Sequence, residues 1–159
     1  MSRLDRSDLD FRLDDLSGAP TRALIARHLA GMHAITPAES VHALGLEKLR
    51  EPNIRVWSAW SGDELVAIGA LKRIDEARGE LKSMRVADAW LGKGAGRAVL
   101  DHLIEQARAA GLTSLWLETG ASADFLPAQR LYETGGFERC GPFEGYGPDP
   151  FSVFMTRRI

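Results

Sequence analysis

The segment WLGKGAGRAVLDHL, Trp90 to Leu103, places three glycines within five positions and then continues into a helical pattern. Glycine inside a helix costs about 1 kcal/mol relative to alanine, so a glycine cluster where a helix begins needs a physical reason. Either the chain turns sharply at Gly92, Gly94 and Gly96, or a bulky group approaches the backbone there. The segment therefore predicts a strand-to-helix junction with an unusual backbone.

Two familiar phosphate-binding motifs do not fit this segment. The nucleotide P-loop requires Ser or Thr after its lysine, but Lys93 is followed by Gly94. The dinucleotide motif G-x-G-x-x-G fails because the last glycine falls at the wrong position. The helix start itself still offers backbone N–H groups without helical partners, together with the positive end of the helix dipole. These features favour an anion site to which small residues admit a pyrophosphate.

The residues after the glycines predict a helix followed by a buried strand. Apolar residues at helical spacing form one face of the helix: Val99, Leu100, Leu103, Ile104 and Ala107. Gly111 is typical of a helix C-terminus, and SLWLET after it is a short apolar strand. A strand, a helix and a strand in succession indicate a right-handed parallel crossover.

The remaining sequence predicts a mixed α/β domain with a mostly antiparallel sheet and one parallel pair at its centre. The predicted order is β-α-α-β-β-β-α-β-α-β-β, in a single domain over residues 1–159. The predicted elements outside the crossover are a strand over 9–16, a helix from Thr21, a second helix over roughly 37–51, a hairpin with strands at 54–60 and 64–74, a strand over 79–86, a helix capped by Asp124 that runs to Glu133, and a final strand pair, FERC and FSVFMTRRI.

Composition narrows the classes of function. The chain has 159 residues, 45% hydrophobic, and a net charge of -2, which does not favour nucleic-acid or anionic-membrane partners. The single cysteine, Cys140, excludes an internal disulfide and fits a reducing compartment. The charged start MSRLDRSDLD is unlike a signal peptide. We therefore expect a soluble, cytoplasmic protein.

Two segments, MRVADAWLGKGAGRAVLDHLIEQARAAGLTSLWLETG and PAQRLYETGGFERC, resemble the GNAT superfamily of acyl-CoA-dependent N-acyltransferases. The signature [QR]-x-x-G-x-[GA] of that family falls on residues 91–96, with Leu91 in place of Gln or Arg. Phe125 stands where the family often has asparagine. The resemblance covers about the second half of the chain, and GELKSMRV, LETG and PFEGYGPDPFSVFM are similar to a bacterial subgroup of acetyltransferases.

The resemblance implies that acetyl-CoA lies in a gap where the two central parallel strands splay apart. The pyrophosphate would contact the N–H groups of residues 92–97, and the pantetheine arm would pair with the strand over 80–86. Lys93 and Arg97 would steer the 3′-phosphate, although two cations at a solvated helix start are an equal alternative. The implied cofactor residues are Met84, Val86, Leu91, Gly92, Lys93, Gly94, Ala95, Gly96 and Arg97, and no metal is expected.

The implied reaction needs a proton acceptor and a proton donor. Neutralising an alkyl amine of pKa ~10.4 at neutral pH costs roughly 4 kcal/mol unless a base or a low-dielectric site helps. The resemblance implies that Tyr132 lies near the thioester sulfur and protonates the leaving thiolate, the alternative being a plain core aromatic. Glu80 and Glu118 are the candidate bases, with Glu80 preferred. Alternatively, Glu80 is an exposed strand end and Glu118 a structural anchor.

The acceptor pocket is less clearly marked in the sequence. The spacing of His28, His33 and His42 does not fit a helical metal pair, so a metal site is not predicted. The resemblance implies that His33 and His42 face the acceptor, although helix-surface histidines are the alternative. Tyr146, in a loop rich in glycine and proline, is a further candidate substrate contact.

Two functional hypotheses follow from the sequence. The first is an N-acetyltransferase that moves an acetyl group from acetyl-CoA to a primary amine of a small molecule or peptide, by direct attack in a ternary complex. The alternative is a non-catalytic acyl-CoA-binding regulatory protein, which would keep the glycine segment without a working acid or base. The resemblance also suggests a homodimer.

Overall fold

The computed structural model describes residues 3–159, which form one seven-stranded sheet flanked by helices. The strands are β1 (Asp10–Leu13), β2 (Ile54–Ser61), β3 (Glu64–Arg73), β4 (Arg78–Val86), β5 (Ser114–Gly120), β6 (Glu138–Cys140) and β7 (Ser152–Arg158). The helices are α1 (Ala19–Ile35), α2 (Leu46–Leu49), α3 (Ala95–Ala109) and α4 (Leu126–Thr134). The order across the sheet is β1-β2-β3-β4-β5-β7-β6. This arrangement confirms the mixed α/β fold predicted from the sequence.

Strands β2, β3 and β4 form an antiparallel meander, and β1 pairs antiparallel with β2 at its edge. The β2–β3 hairpin turns at Gly62, whose φ of 59° lies in the left-handed region. β-Branched and aromatic residues of β2 and an apolar run in β3 account for their burial. The sheet face of β3 is covered by α3, which approaches so closely that a Cβ on Gly69 would lie 2.7 Å from Val99. Helix α3 thus packs directly against the face of the sheet at β3.

The central parallel pair is hydrogen-bonded over only three positions. Residues 78–80 of β4 pair with 114–116 of β5, and the two strands have no ladder partners in each other beyond that point. A register shift also interrupts the β3–β4 ladder between Ile68 and Ala70, and Ser83 in β4 has a left-handed φ of 54°. Because backbone pairing stops, a wedge-shaped gap opens between β4 and β5. This gap is the splayed pair that the resemblance implied.

The second predicted helix is mostly absent. In place of a helix over 37–51, the chain forms a short 3₁₀ turn at Ala38–Ser40, an irregular segment, and a single helical turn, α2. Pro37 and Gly45 both adopt extended ψ values, which interrupts helical hydrogen bonding on either side of the segment. Of the four apolar positions in this segment, Leu49 is buried at 1% exposure, and Val41, Leu44 and Leu46 are partly buried. The apolar spacing therefore predicted partial burial correctly, but the single helix over 37–51 was wrong.

Smaller differences occur at the start of α4 and at the ends of α1. Asp124 lies inside a 3₁₀ turn, Ala123–Phe125, so it does not cap α4. Helix α1 begins two residues before Thr21, with Pro20 in its first turn. In the described part of the chain, residues 3–159, no helix is long and apolar enough to cross a membrane.

Candidate active site

The glycine segment forms a tight loop that ends at the first turn of α3. Gly92 and Gly94 have φ values of 73° and 93°, which side-chain-bearing residues rarely adopt. The backbone N–H of Leu4 donates to the Lys93 carbonyl at 2.7 Å, so the N-terminal segment lies against this loop. A Cβ on Gly94 would approach the Leu4 carbonyl oxygen to 2.8 Å. Gly94 is therefore required both by backbone conformation and by space.

A cleft of about 670 Å³ runs along this loop between β4, α3 and α4. Eight of the nine cofactor residues predicted from the sequence line it: Met84, Val86, Leu91, Gly92, Gly94, Ala95, Gly96 and Arg97. The ninth, Lys93, does not line it, and its Nζ lies 5.2 Å from the centre of the Trp90 ring. The cleft is thus walled on one side by the backbone at the start of α3.

The charges around this cleft fit a polyanionic ligand. Four arginines, Arg3, Arg85, Arg97 and Arg130, line it among the described residues, against one acidic side chain, Asp124. This is a local excess of positive charge in a chain whose net charge is -2. Helix α3 begins on the same wall, and no side chain in the described part of the chain caps its first N–H groups, which leaves them available to an anion. The residues present therefore fit the phosphates of a coenzyme A moiety.

A second, smaller cavity of about 120 Å³ lies beside the cleft, between α1, the segment after it, β4, β5 and α4. It brings together four residues predicted from distant parts of the sequence: His42, Glu80, Glu118 and Tyr132. His33, by contrast, is exposed on α1 and is not among the lining residues. Of the two acceptor candidates in the first helical region, His42 thus lies at the cavity and His33 on the surface.

Glu80 and Lys82, which line this cavity, form a closed triangle of hydrogen bonds with Tyr146, which does not line it. Lys82 Nζ donates to Glu80 Oε2 at 2.9 Å and to the Tyr146 oxygen at 2.8 Å, while the Tyr146 hydroxyl donates to Glu80 Oε2 at 2.6 Å. The Lys82 and Glu80 side chains are only 9% and 4% exposed. The Tyr146 ring also contacts His42 edge-on at 5.0 Å. The charges of Glu80 and Lys82 therefore largely compensate one another.

Glu118 is the carboxylate in this cavity that no ion pair in the described structure neutralises. It lies at the open end of β5, where the strand has left β4. Burial raises the pKa of Glu118 above its ordinary value, against smaller opposing effects of Ser152, His42 and Lys82, and the charge of Glu80 adds the smallest contribution, also upward. Glu118 is thus held closer to the pH at which it can exchange a proton.

Tyr132 stands where the cleft and the cavity meet. Six residues line both spaces: His28, Met32, Met84, Phe125, Ala128 and Tyr132. The Tyr132 hydroxyl lies 3.6 Å from the Met84 sulfur, and burial raises the pKa of Tyr132 to about 12. The phenol is therefore protonated at neutral pH and available as a hydrogen-bond donor.

Several polar groups at the cavity were not singled out from the sequence. Lys82 and Ser83 line it from β4, and His28 lines it from α1. The Ser83 hydroxyl and Nδ1 of His28 are buried without a hydrogen-bond partner among the described residues. Strand alternation could have drawn attention to Lys82, since a lysine in a central strand needs a partner. No sequence signal marked the left-handed conformation of Ser83.

The described residues, 3–159, contain no cluster of three His, Cys, Asp or Glu side chains that could hold a metal ion. The chemistry available at the two spaces is that of hydrogen bonds, proton transfer and anion binding. An extended anionic ligand fits the cleft, and a small polar molecule fits the cavity. Tyr132 lines both spaces.

Comparison with known proteins gives a consistent result. The sequence profile described as the acetyltransferase (GNAT) family matches residues 23–137. The chain is 51% identical to YsnE of Bacillus subtilis, named an N-acetyltransferase, over 95% of this chain and all of that protein. It is 43% identical to the IAA acetyltransferase of Azospirillum brasilense, over 77% of this chain and 80% of that protein. A crystal structure from Klebsiella pneumoniae, described as an acyl-CoA N-acyltransferase, superposes with a TM-score of 0.77 at 26% identity, covering 94% of this chain and 97% of that chain.

Proposed function

The chain belongs to the acetyltransferase (GNAT) family, and from this premise we propose that it acetylates a primary amine of a small molecule or peptide by direct attack in a ternary complex. Membership makes the protein an acyltransferase that uses acetyl-CoA. The acceptor class, the ternary mechanism and the roles of individual residues are the content of the proposal.

The observation that carries the proposal is the junction of two spaces of different chemistry. The cleft is lined by arginines and by the bare start of α3, whereas the cavity holds an uncompensated carboxylate. Direct transfer requires both ligands to be bound at once with their reacting ends in contact. Six residues shared by the cleft and the cavity provide such a meeting point. The position of Cys140, which lines neither space, also argues against a covalent intermediate on a cysteine.

The residues of the glycine segment hold the cofactor. The N–H groups at the start of α3 and the nearby Arg97 and Arg130 side chains bind the phosphates, and Gly92, where a Cβ would meet open space, leaves the backbone of the loop accessible. The part of β4 that has lost its parallel partner offers Met84 and Val86 to the pantetheine arm. When bound, acetyl-CoA supplies a thioester carbonyl to which the amine nitrogen adds and from which sulfur leaves.

Two side chains handle the protons. The Glu118 carboxylate accepts the proton that the amine nitrogen loses when it forms the amide bond, and its raised pKa makes it the better acceptor. The Tyr132 hydroxyl donates a proton to the departing sulfur, so one proton is lost and one is gained. Glu80, preferred from the sequence, is the weaker candidate because its Oε2 already accepts two hydrogen bonds. Solvent then returns Glu118 and Tyr132 to their starting states.

The experiment is an acetyl-transfer assay with a panel of amines and IAA, the compound for which the Azospirillum brasilense relative is named. The purified protein with acetyl-CoA should release free CoA thiol in stoichiometric ratio to an N-acetylated amine identified by mass spectrometry. Initial rates over a grid of both concentrations should give intersecting double-reciprocal plots, as a ternary complex requires.

Two outcomes would contradict the proposal. Parallel double-reciprocal plots would indicate a covalent intermediate. Binding of acetyl-CoA without transfer to any amine, but with transfer to IAA, would contradict the amine acceptor. Glu118→Gln and Glu80→Gln form a matched pair for the base, since only the former should abolish the rise of kcat/KM with pH.

A further inference from the structure

His28 is a polar group at the meeting point of the cleft and the cavity that the proposed mechanism does not use. It lies in the middle of α1 and lines both spaces. Of the six residues that line both, only His28 and Tyr132 have side chains that form strong hydrogen bonds. His28 is 8% exposed, and its Nδ1 is buried without a hydrogen-bond partner among the described residues. In the part of the chain that the structure describes, no partner at Nδ1 therefore fixes the tautomer of the imidazole, and the cost of leaving that edge unpaired depends on whether it carries the proton.

The position of the ring determines which edge a ligand can reach. Because Nδ1 is closed off, a ligand in either space meets the opposite edge of the imidazole, which carries Nε2. A buried N–H without an acceptor is costlier than a buried lone pair, so the single proton of the neutral ring belongs on Nε2. His28 therefore presents an N–H donor to the junction.

The surroundings of His28 favour negative charge in a ligand and keep the ring neutral. The guanidinium of Arg85 lies over Gly31, one helical turn from His28, at 3.4 Å from the position a Cβ would take there. Burial, together with the charge of Arg85, lowers the pKa of His28 to about 4. The carboxylates Glu80 and Glu118 line only the cavity and not the cleft. The junction thus has an electropositive side at α1 and an electronegative side at β4 and β5.

Resting on the proposed function, we propose that His28 is a further catalytic residue, whose Nε2–H donates a hydrogen bond to the carbonyl oxygen of the acyl thioester. As the amine nitrogen bonds to the carbonyl carbon, the π electron pair moves onto that oxygen. A donor already aimed at the oxygen stabilises this charge without reorganisation. The pair returns to the carbonyl when the carbon–sulfur bond breaks. A neutral imidazole suits this role because it donates without first giving up its proton.

The first test compares turnover of three α1 variants in the full-length protein. His28→Leu keeps an apolar side chain of similar size but no donor, and should lower kcat about 100-fold. His28→Gln keeps an amide N–H donor and should recover part of that loss. Arg22→Gln, at an exposed position of the same helix, should leave kcat unchanged. The Kd for CoA, measured by calorimetry, should be the same in all four proteins.

The second test does not depend on turnover. In ¹⁵N-histidine-labelled protein, the His28 resonance is identified by its absence from the His28→Gln spectrum. Acetyl-CoA, added without an amine, should shift the His28 N–H proton downfield, whereas CoA, which lacks the carbonyl, should not. Equal shifts with both ligands would overturn the proposal, because the contact would then be to another part of the cofactor.

Failure of this inference is distinguishable from failure of the proposed function. If the native protein transfers acetyl groups and His28→Leu does so at the same rate, His28 is not catalytic but the function stands. If His28→Gln loses the low-pH decline of kcat/KM seen in the native protein, His28 is a base rather than a donor, which also overturns the assignment. If the native protein transfers nothing to any amine, the proposed function fails instead.

Discussion

The cleft at the start of α3 and the smaller cavity beside it are built in different ways. The cleft takes its decisive wall from one short run, residues 91–97, and much of that wall is backbone. The cavity draws its chemistry from side chains as far apart as His28 and Phe151, which come from helices, strands and loops. The cleft therefore depends on local conformation and the cavity on tertiary packing. Variants of the two regions should consequently fail in different measurements.

The largest effect is expected at the point where the two regions meet. Tyr132→Phe removes the phenolic proton but keeps the ring and its contact with Phe137. We expect kcat to fall about 1,000-fold, since proton donation to a leaving group contributes about 10²–10⁴. The Kd for CoA should change little, because the phosphates bind elsewhere. Steady-state kinetics measures kcat, and calorimetry measures the Kd for CoA. An unchanged kcat would exclude proton donation by Tyr132.

The next effect concerns the cleft alone. Gly94→Val forces a β-branched residue into a φ of 93° and against the Leu4 carbonyl, which costs on the order of 1–3 kcal/mol. If this distortion falls on the phosphate site, the Kd for CoA should rise up to about 100-fold. Gly111→Val is the matched control, with a similar φ of 83° in open space after α3. It should lower the melting temperature and leave the Kd unaltered, and equal losses of affinity would contradict a local phosphate site.

A smaller effect is expected in the cavity. Glu118→Gln removes the carboxylate whose raised pKa suits it to accept a proton. Since the ionised form is the acceptor, native kcat/KM should rise with pH through the pKa of Glu118, and this rise should disappear in the variant. At pH 7 we expect kcat/KM to fall less than in Tyr132→Phe, and the loss should narrow above about pH 9, because solvent then deprotonates the amine. A pH profile that is unaltered in the variant would assign the base elsewhere.

The smallest effect links the cavity to stability. His28 has a pKa of about 4 in the folded protein against an ordinary value of 6.5, so the unfolded chain binds the proton first as the pH falls. The stability conferred by neutral His28 is complete above the ordinary pKa and declines as the pH falls through 6.5 towards 4. Lowering the pH from about 6.5 to about 5.5 should cost about 1 kcal/mol, or about 3 °C in melting temperature. The decline should be shallower in His28→Gln, measured by differential scanning calorimetry.

His102 provides a control for that measurement. It lies on α3, stacked on Phe11 at 4.1 Å, and does not line the cleft or the cavity. Burial, with the charge of Arg6, lowers its pKa to about 4 as well. His102→Phe should therefore also reduce the acid sensitivity of folding, but without affecting acetyl transfer. If the stability of a protein carrying both His28→Gln and His102→Phe still declines as steeply between about pH 6.5 and about pH 5.5, other groups cause the acid sensitivity of folding.

Much of the fold was predictable because its elements follow local patterns. Alternating strands, the amphipathic face of α3 and Gly111 at its end all appear as expected. The helix predicted over 37–51 was wrong because Pro37 and Gly45 take extended backbone conformations, which apolar spacing does not register. The start of α4 was misplaced for a similar reason, since the turn at Ala123–Phe125 precedes it. Spacing predicts which residues are buried better than it predicts the backbone that buries them.

The candidate site divides along the same line. The glycines at 92, 94 and 96 identified a backbone wall, and eight of the nine predicted cofactor residues line the cleft. The side chains were harder to predict, because their roles depend on neighbours that the sequence does not reveal. Lys82 and Tyr146 both donate hydrogen bonds to Glu80. Glu118 forms no ion pair among the described residues, and burial raises its pKa. Of the two candidate acceptor histidines, His42 lines the cavity and His33 does not, whereas His28, which was given no role at the acceptor, lines it.

The sequence by itself determined the order of elements, the parallel crossover and the glycine loop at the start of α3. These depend on hydrogen bonds and steric limits between residues that are close along the chain. Only the tertiary structure decided which carboxylate is paired, which histidine is buried and where the cleft meets the cavity. Those properties arise from distances between residues of different elements, since charge compensation and desolvation depend on what lies within a few ångströms.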